Sequence, residues 1–106
     1  MPDSPMWCVA MFDLPVLTAP QRREATRFRK FLLDRGFLMV QFSVYIKYWP
    51  TGGIDMTTIK AIKGSLPTGG KVRVLAVTDR QWSSAYCFEN AREQVADEAP
   101  EQLMIF

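Results

Sequence analysis

Strand-type and helix-type segments alternate along this chain, and that alternation limits the folds it can adopt. Apolar runs of strand length or longer are found at 6–12, 37–48 and 71–78. Between them, apolar residues recur at helical spacing at 18–35 and, more weakly, at 54–66. The order strand, helix, strand, helix, strand predicts a sheet with helices packed against it.

The length of the chain allows one such unit and no more. A chain of 106 residues, 48% of them hydrophobic, buries a single core, so we expect one domain over residues 1–106. No apolar run of about 18 residues is present to span a membrane. The start, Met1–Pro5, lacks the basic-then-apolar layout of a secretion signal. We therefore expect a cytoplasmic protein with no membrane partner.

The segment from Thr18 to Gly36 is predicted to be an amphipathic helix. Thr18 is a typical N-cap, Gln21 is its capping-box partner, and Pro20 fits the first turn, where a missing N–H is harmless. Gly36 is a typical C-terminal stop. On a helical wheel, one apolar stripe faces the expected core: Ala25, Phe28, Phe31 and Leu32.

Five basic side chains occupy the opposite, solvent-facing arc of this helix: Arg22, Arg23, Arg27, Arg29 and Lys30. We expect this arc to be free of acidic side chains. Like charges four residues apart repel unless a counter-charge is supplied, and a phosphate backbone supplies one. Residues 1–88 hold 12 basic against 6 acidic side chains, while 89–106 is acidic. This asymmetry favours a polyanionic partner, with a solvated helix face as the ordinary alternative.

Histidine is absent, which excludes imidazole acid–base chemistry, His-based nucleophile systems and His-containing zinc sites. Any catalysis must use carboxylates, a metal or a bound water. Asp13 directly follows the first strand, whereas Asp79, which follows a later one, is expected to be a loop residue. Cys8 and Cys87 lie in apolar surroundings and are expected to be buried thiols. Ser43 has no base to activate it and is expected to be a strand-face hydroxyl.

The element order fits a ferredoxin-like βαββαβ sandwich with an extra C-terminal edge strand, but only after an adjustment. That fold needs two strands between its helices, whereas the segments supply one there and a possible short strand at 82–88. A bend within 37–48, a crossover hidden at the glycine pairs, or a second helix at 89–99 are the alternatives that periodicity leaves open. The apolar end, 103–106, is predicted to be an edge strand.

Seven motifs follow one another over nearly the whole chain: Met11–Pro15, Arg22-Arg23, Phe28–Leu32, Gly36-Phe37, Gln41–Tyr45, Val77–Gln81 and Gln102–Phe106. Together they resemble the small CRISPR-associated adaptation proteins. This family is the smaller of the two near-universal spacer-acquisition subunits and is also described as the CRISPR-associated endoribonuclease family. The last two motifs are similar to versions from type II systems.

The resemblance implies a ferredoxin-like protomer in a homodimer. That dimer would bridge two dimers of the larger CRISPR integrase subunit and hold double-stranded DNA, with the five basic residues of the helix on its phosphates. Arginine suits this role because its planar fork donates two hydrogen bonds at once. The C-terminal segment 89–106 would serve dimer or partner packing. Its last strand would lie on the partner's sheet: Leu103, Met104, Ile105 and Phe106.

The resemblance also implies a metal-dependent endonuclease in which Asp13 is the catalytic carboxylate and the Mg²⁺ ligand. One carboxylate is too few for Mg²⁺-assisted phosphoryl transfer, so a twofold axis would have to bring a second copy of Asp13. The alternative without catalysis is that Asp13 is a turn residue whose side chain caps the bend after the strand. We expect catalysis to be dispensable for the adaptation role.

Two other functions compete with this one. A stand-alone, toxin-like, Mg²⁺-dependent endonuclease, cutting single-stranded RNA or double-stranded DNA with Asp13, would use the same residues. An RNA-recognition module is indicated weakly by residues 35–42, which match five of seven defined signature positions. Leu38 and Met39 fail that signature, and Met39 stands where an aromatic side chain should stack on a base.

Overall fold

The structure is a computed structural model that describes residues 4–53 and 55–89. The expected elements at 89–99 and 103–106 lie outside the described residues, apart from Glu89. No helix in the described ranges is long and apolar enough to cross a membrane. The elements are β1 (Met6–Asp13), α1 (Ala19–Asp34), β2 (Leu38–Gln41), β3 (Val44–Trp49), α2 (Met56–Lys63), β4 (Lys71–Thr78) and α3 (Asp79–Ser83).

The four strands form one antiparallel sheet in the order β2-β3-β1-β4. Since β1 pairs with both β3 and β4, the uninterrupted apolar run 6–12 occupies a central position in the sheet. The chain order through β4 is βαββαβ, which confirms the predicted ferredoxin-like fold. Two strands lie between the first two helices, as that fold requires.

The long strand predicted over 37–48 is wrong, because the chain turns at Phe42 and Ser43 and forms the β2–β3 hairpin. The N–H of Phe12 donates to the carbonyl of Ser43 at 3.1 Å, which holds this turn against β1. A register shift lies between Met39 and Gln41. A two-residue turn exchanges the faces on which odd-numbered and even-numbered side chains lie, and the bulge exchanges them again. The sequence therefore alternates as if one strand were unbroken.

Helix α1 begins and ends as predicted. The Thr18 hydroxyl accepts from the N–H of Gln21, and the Gln21 side chain accepts from the N–H of Thr18. Gly36 has φ +93°, a conformation that glycine adopts without strain. Along the predicted apolar stripe, Ala25, Phe28 and Leu32 are buried and Phe31 is partly buried.

The core lies between the sheet and the helices. Phe12 meets Phe28 edge to face, with ring centroids 5.4 Å apart. Because successive strand residues point to opposite faces, the even-numbered residues of β1 face the helices and the odd-numbered ones face away. The buried cluster consists of Cys8, Ala10, Phe12, Phe28, Leu32, Phe37, Tyr45, Trp49 and Ile62.

The opposite face of the sheet, which we call the open face, is covered by neither α1 nor α2. Helix α3 reaches it at one end, where Trp82 packs on Trp7 with ring centroids 5.9 Å apart. Several side chains of the open face are apolar and partly exposed, among them Leu75 (39%), Tyr48 (44%) and Leu38 (64%). Trp7 packs on Tyr48 there, with ring centroids 4.8 Å apart. Most of the open face is thus an apolar surface that the described residues leave in contact with water.

Two further expectations need correction. Segment 82–88 forms no strand, because α3 begins directly after β4 with a Thr78–Gln81 capping box. Cys87 is exposed, while Cys8 is buried and free as expected.

Candidate nucleic-acid interface

Four of the five predicted basic residues gather on the outer surface of α1. Together they border an open depression of about 570 Å³, which we call the α1 groove. All four are exposed, so the groove is lined by solvated cations. The lining residues are Ala19, Arg22, Arg23, Thr26, Arg27 and Lys30.

The fifth, Arg29, does not share this arc. It lies at the border with the apolar stripe, where its guanidinium carbon is 4.3 Å from the centroid of the Phe42 ring and 5.6 Å from that of Phe12. Its Nε also donates to the Phe42 carbonyl at 3.5 Å. Arg29 therefore holds the β2–β3 turn against α1 through a cation–π contact. The spacing of residues in the sequence did not indicate this contact.

The expectation of an acid-free arc is wrong. Glu24 pairs with Arg27 at 3.0 Å, and Asp34 lies 3.9 Å from Lys30. Asp34 is four residues after Lys30, so it falls on the same side of the helix. These side chains are between 43% and 75% exposed, and such ion pairs contribute about 0–1 kcal/mol. A phosphate can therefore compete with them for the cations.

Arg27 also connects α1 to the segment that follows α2. Its two terminal nitrogens donate to the Oγ and the carbonyl of Ser65, both at 2.9 Å. Together with the Glu24 contacts, these bonds engage every nitrogen of the guanidinium. Arg27 is thus a structural clamp as well as part of the groove.

The other groove cations are more available. Arg22 uses Nη1 to donate to the carbonyls of Val16 and Leu17, both at 3.2 Å. For Arg23, no hydrogen bond or ion pair occurs with any described residue, and Lys30 has only its distant contact with Asp34. Arg23 and Lys30 are therefore best placed to meet a phosphate.

Asp13 is exposed at the end of β1 and lies on the open face. It pairs across the strands with Lys71, while Met11 pairs with Arg73. The Gly69-Gly70 turn closes on this strand end: a Cβ at Gly70 would lie 2.5 Å from the Asp13 carbonyl oxygen. Around the carboxylate is a shallow depression of about 260 Å³ lined by Met11, Phe12, Asp13, Lys71 and Arg73.

This donor set does not fit Mg²⁺ within one chain. Among the described residues, no three His, Cys, Asp or Glu side chains come together. Asp79 lies at the far end of the sheet, next to the Met6–Thr78 pair, where its carboxylate accepts from the Trp7 indole N–H at 2.7 Å. Mg²⁺ needs several oxygen ligands, and Asp13 has two cations beside it instead.

A second polar cluster lies under α2. Thr58 donates its hydroxyl to the Asp55 carboxylate at 2.6 Å, and Lys47 Nζ is 3.4 Å from the same hydroxyl. The hydrogen bonds from Thr58 lower the pKa of Asp55. Burial raises the pKa of Cys8 to about 11, although Lys47 acts in the opposite direction. Cys8 is therefore a protonated, inert thiol at neutral pH.

These features define a small ferredoxin-like domain with a cationic helix face and one exposed carboxylate at the end of its first strand. A family model described as "CRISPR associated protein Cas2" matches residues 6–85. The chain belongs to this family, which confirms the resemblance found in the sequence.

Relatives named "CRISPR-associated endoribonuclease Cas2" match over nearly their whole length. The protein from Paracidovorax avenae is 44% identical over 101 residues, which cover 95% of this chain and 94% of the relative. Those from Flavobacterium psychrophilum and Parvibaculum lavamentivorans are 38% and 37% identical, each over 95% of this chain and over 88% and 100% of their own lengths.

Proposed function

We propose that this protein is a CRISPR spacer-acquisition subunit that holds double-stranded DNA on the α1 groove. The observation that carries the proposal is the set of exposed cations along one side of a well-capped helix, in a member of this family. The capping box and the packed apolar stripe fix the helix, so the cations are held on a rigid element. The proposed role places the protein in the cytoplasm.

The chemistry of the α1 groove suits a phosphate backbone. Arg23 offers a planar fork that donates two hydrogen bonds to one phosphate, and Lys30 adds a point charge. Arg22 contributes its uncommitted nitrogens, while Arg29 acts by holding the hairpin turn. Contacts of this kind position a duplex without reading its sequence, which suits a subunit that accepts DNA of any origin.

The proposed assembly is a homodimer that bridges dimers of the larger integrase subunit. Its support in the structure is the open face, where apolar side chains such as Leu75 and Tyr48 are partly exposed. Covering such a face removes apolar surface from water, which stabilises the contact by about 25 cal/mol for each Å² buried. Leu103–Phe106 would add an edge strand to this contact, a prediction that lies outside the described residues.

The alternative is a stand-alone, Mg²⁺-dependent endonuclease that cuts single-stranded RNA or double-stranded DNA with Asp13. Its support is the endoribonuclease name of the relatives and the exposure of Asp13. It requires further carboxylates, because no group of three His, Cys, Asp or Glu side chains forms among the described residues and Asp13 is the one acidic side chain lining its depression there. A second copy of the chain would bring one. We therefore infer that cleavage is dispensable for the adaptation role.

One experiment separates the two functions. Wild type, Asp13→Ala and the double variant Arg23→Gln/Lys30→Gln are each incubated with labelled duplex DNA or single-stranded RNA, in Mg²⁺ or in EDTA. Binding and products are scored on the same gel. The proposal expects duplex binding without products, lost in the double variant and retained in Asp13→Ala. Products that require both Mg²⁺ and Asp13 would establish the nuclease instead.

A further inference from the structure

Two cations of β4 lie on the open face beside Asp13, away from the α1 groove. Val72 and Val74 pack against the core, so the alternate residues Lys71 and Arg73 point to the other side of the sheet. Both are exposed. Lys71 is the cross-strand neighbour of Asp13 and Arg73 that of Met11, so three charged groups meet at one end of the open face.

The charges in this cluster do not balance. The ion pairs among the described residues, Glu24–Arg27 and Lys30–Asp34, involve neither Lys71 nor Arg73. Asp13 is the one acidic side chain lining the depression that they share, so a single positive charge is left over. A copy of the chain that covers the apolar part of the open face has to leave this charged end in water, because burying unpaired cations is costly.

We propose that Lys71 and Arg73 form a second phosphate-binding site for nucleic acid, in which Asp13 is a nearby negative charge that weakens phosphate binding rather than a metal ligand. This inference rests on the proposed function, because it concerns the same nucleic-acid partner. Residues two apart on a strand are separated by roughly 6.5 Å, so both side chains can reach one phosphate group. Arg73 supplies the planar fork and Lys71 the point charge.

The placement of this site supports its role. Lys71 and Arg73 are on a sheet strand, so little order has to be gained on binding. The Gly69-Gly70 turn fixes the end of β1 against the start of β4, which sets the distance between Asp13 and Lys71. The α1 groove lies on the other layer of the domain, so the two sites are separate surfaces.

The proposal predicts the direction in which neutralising Asp13 changes the affinity for duplex DNA. A carboxylate beside Lys71 and Arg73 repels a phosphate, so Asp13→Asn should tighten duplex binding in EDTA, by about twofold to fivefold at low salt. The two roles differ in Mg²⁺: loss of a metal ligand removes the bound cation and weakens binding there, whereas loss of a repelling charge tightens binding in Mg²⁺ as well.

The test measures duplex DNA binding by full-length variants across a salt series in EDTA, by fluorescence anisotropy. Lys71→Gln and Arg73→Gln should each weaken binding about threefold to tenfold and lower the salt slope by about 0.9. Two matched charge-neutralising controls, Lys60→Gln and Arg80→Gln, remove exposed cations elsewhere and should match wild type. Lys71→Arg should restore binding, and thermal melts establish that each variant is folded.

The possible results separate this inference from the proposed function. If wild type binds and Arg23→Gln/Lys30→Gln does not, while the β4 variants match their controls, the second site is wrong and the α1 groove stands. If wild type does not bind duplex DNA at all, both proposals fail. Weaker binding by Asp13→Asn, in EDTA or in Mg²⁺, would overturn the role of Asp13 as a repelling charge.

Discussion

Gly70 shows how closely two segments approach at the Asp13 end of the sheet. Its φ is +78°, and an added Cβ would lie 2.5 Å from the Asp13 carbonyl oxygen and 3.0 Å from a Leu14 methyl carbon. We predict that Gly70→Ala destabilises the fold by about 2 kcal/mol or more, through backbone strain and displacement of the Asp13 strand. Urea unfolding measures this change.

Gly53 is the matched control for that variant. A Cβ there meets nothing within 4 Å, and its φ is not in the left-handed region. Gly53→Ala is expected to change stability by less than about 1 kcal/mol. Equal losses for the two variants would show that the Gly70 contact does not matter.

Cys8 makes stability depend on alkaline pH. The unfolded thiol ionises from about pH 9, whereas burial raises the folded pKa to about 11. Between these values the folded state binds more protons than the unfolded state, so the free energy of unfolding falls as pH rises. The fall is at most about 1.4 kcal/mol per pH unit. Urea unfolding under reducing conditions should show this slope in wild type, and Cys8→Ala should lack it.

The roles of single residues can be predicted from sequence where their partners lie close in the chain, but not where the partners lie far away. Thr18, Gln21 and Gly36 act within one turn of the chain, so their types and spacing indicate their roles. The bonds of Arg27 to Ser65, 38 residues away, depend on how α1 and α2 pack. No spacing rule within one element reports such a contact.

Elements were predicted where their pattern was continuous and missed where two irregularities cancelled. Helix α1 and strands β1 and β4 have unbroken periodicity and agree closely with the structure. The β2–β3 turn was hidden because the bulge between Met39 and Gln41 restored the alternation that the turn had shifted. The ferredoxin order requires a second strand between the helices, and of the alternatives that the sequence left open, the structure shows the bend within 37–48.

Arg27 connects the proposed DNA surface to the packing of two helices, and the two roles can be separated. Arg27→Gln removes the bonds to Ser65 and the pair with Glu24, so we predict a loss of about 1 kcal/mol in unfolding free energy. Arg23→Gln makes the same charge change at an exposed position and is expected to leave stability within about 0.5 kcal/mol. Chemical denaturation of both variants provides the comparison.

This pair of variants is also a control for the DNA-binding experiments. If Arg27→Gln is as stable as Arg23→Gln, the clamp to Ser65 contributes nothing measurable in solution. If it is less stable, a loss of DNA binding in that variant cannot be assigned to a phosphate contact alone. The α1 groove is therefore better tested at Arg23 and Lys30.

At the scale of the whole molecule, most of the open face has no partner among the described residues, because α3 reaches it only at the Trp7 end. Leu75, at the middle of β4, is 39% exposed on the open face, and Val9 is its cross-strand neighbour. We predict that Leu75→Asp converts the proposed homodimer to monomer, because it places a charge in an apolar contact. Sedimentation equilibrium of the full-length chain measures the dissociation constant, which should rise at least tenfold.

The control for that variant is Leu66→Asp, at an apolar side chain that is 48% exposed outside the sheet. It makes the same chemical change away from the open face, so its dissociation constant should equal that of wild type. A dimer that survives Leu75→Asp unchanged would place the contact elsewhere in the chain. The open face would then need another partner, and the larger integrase subunit becomes the one to test against the same two variants.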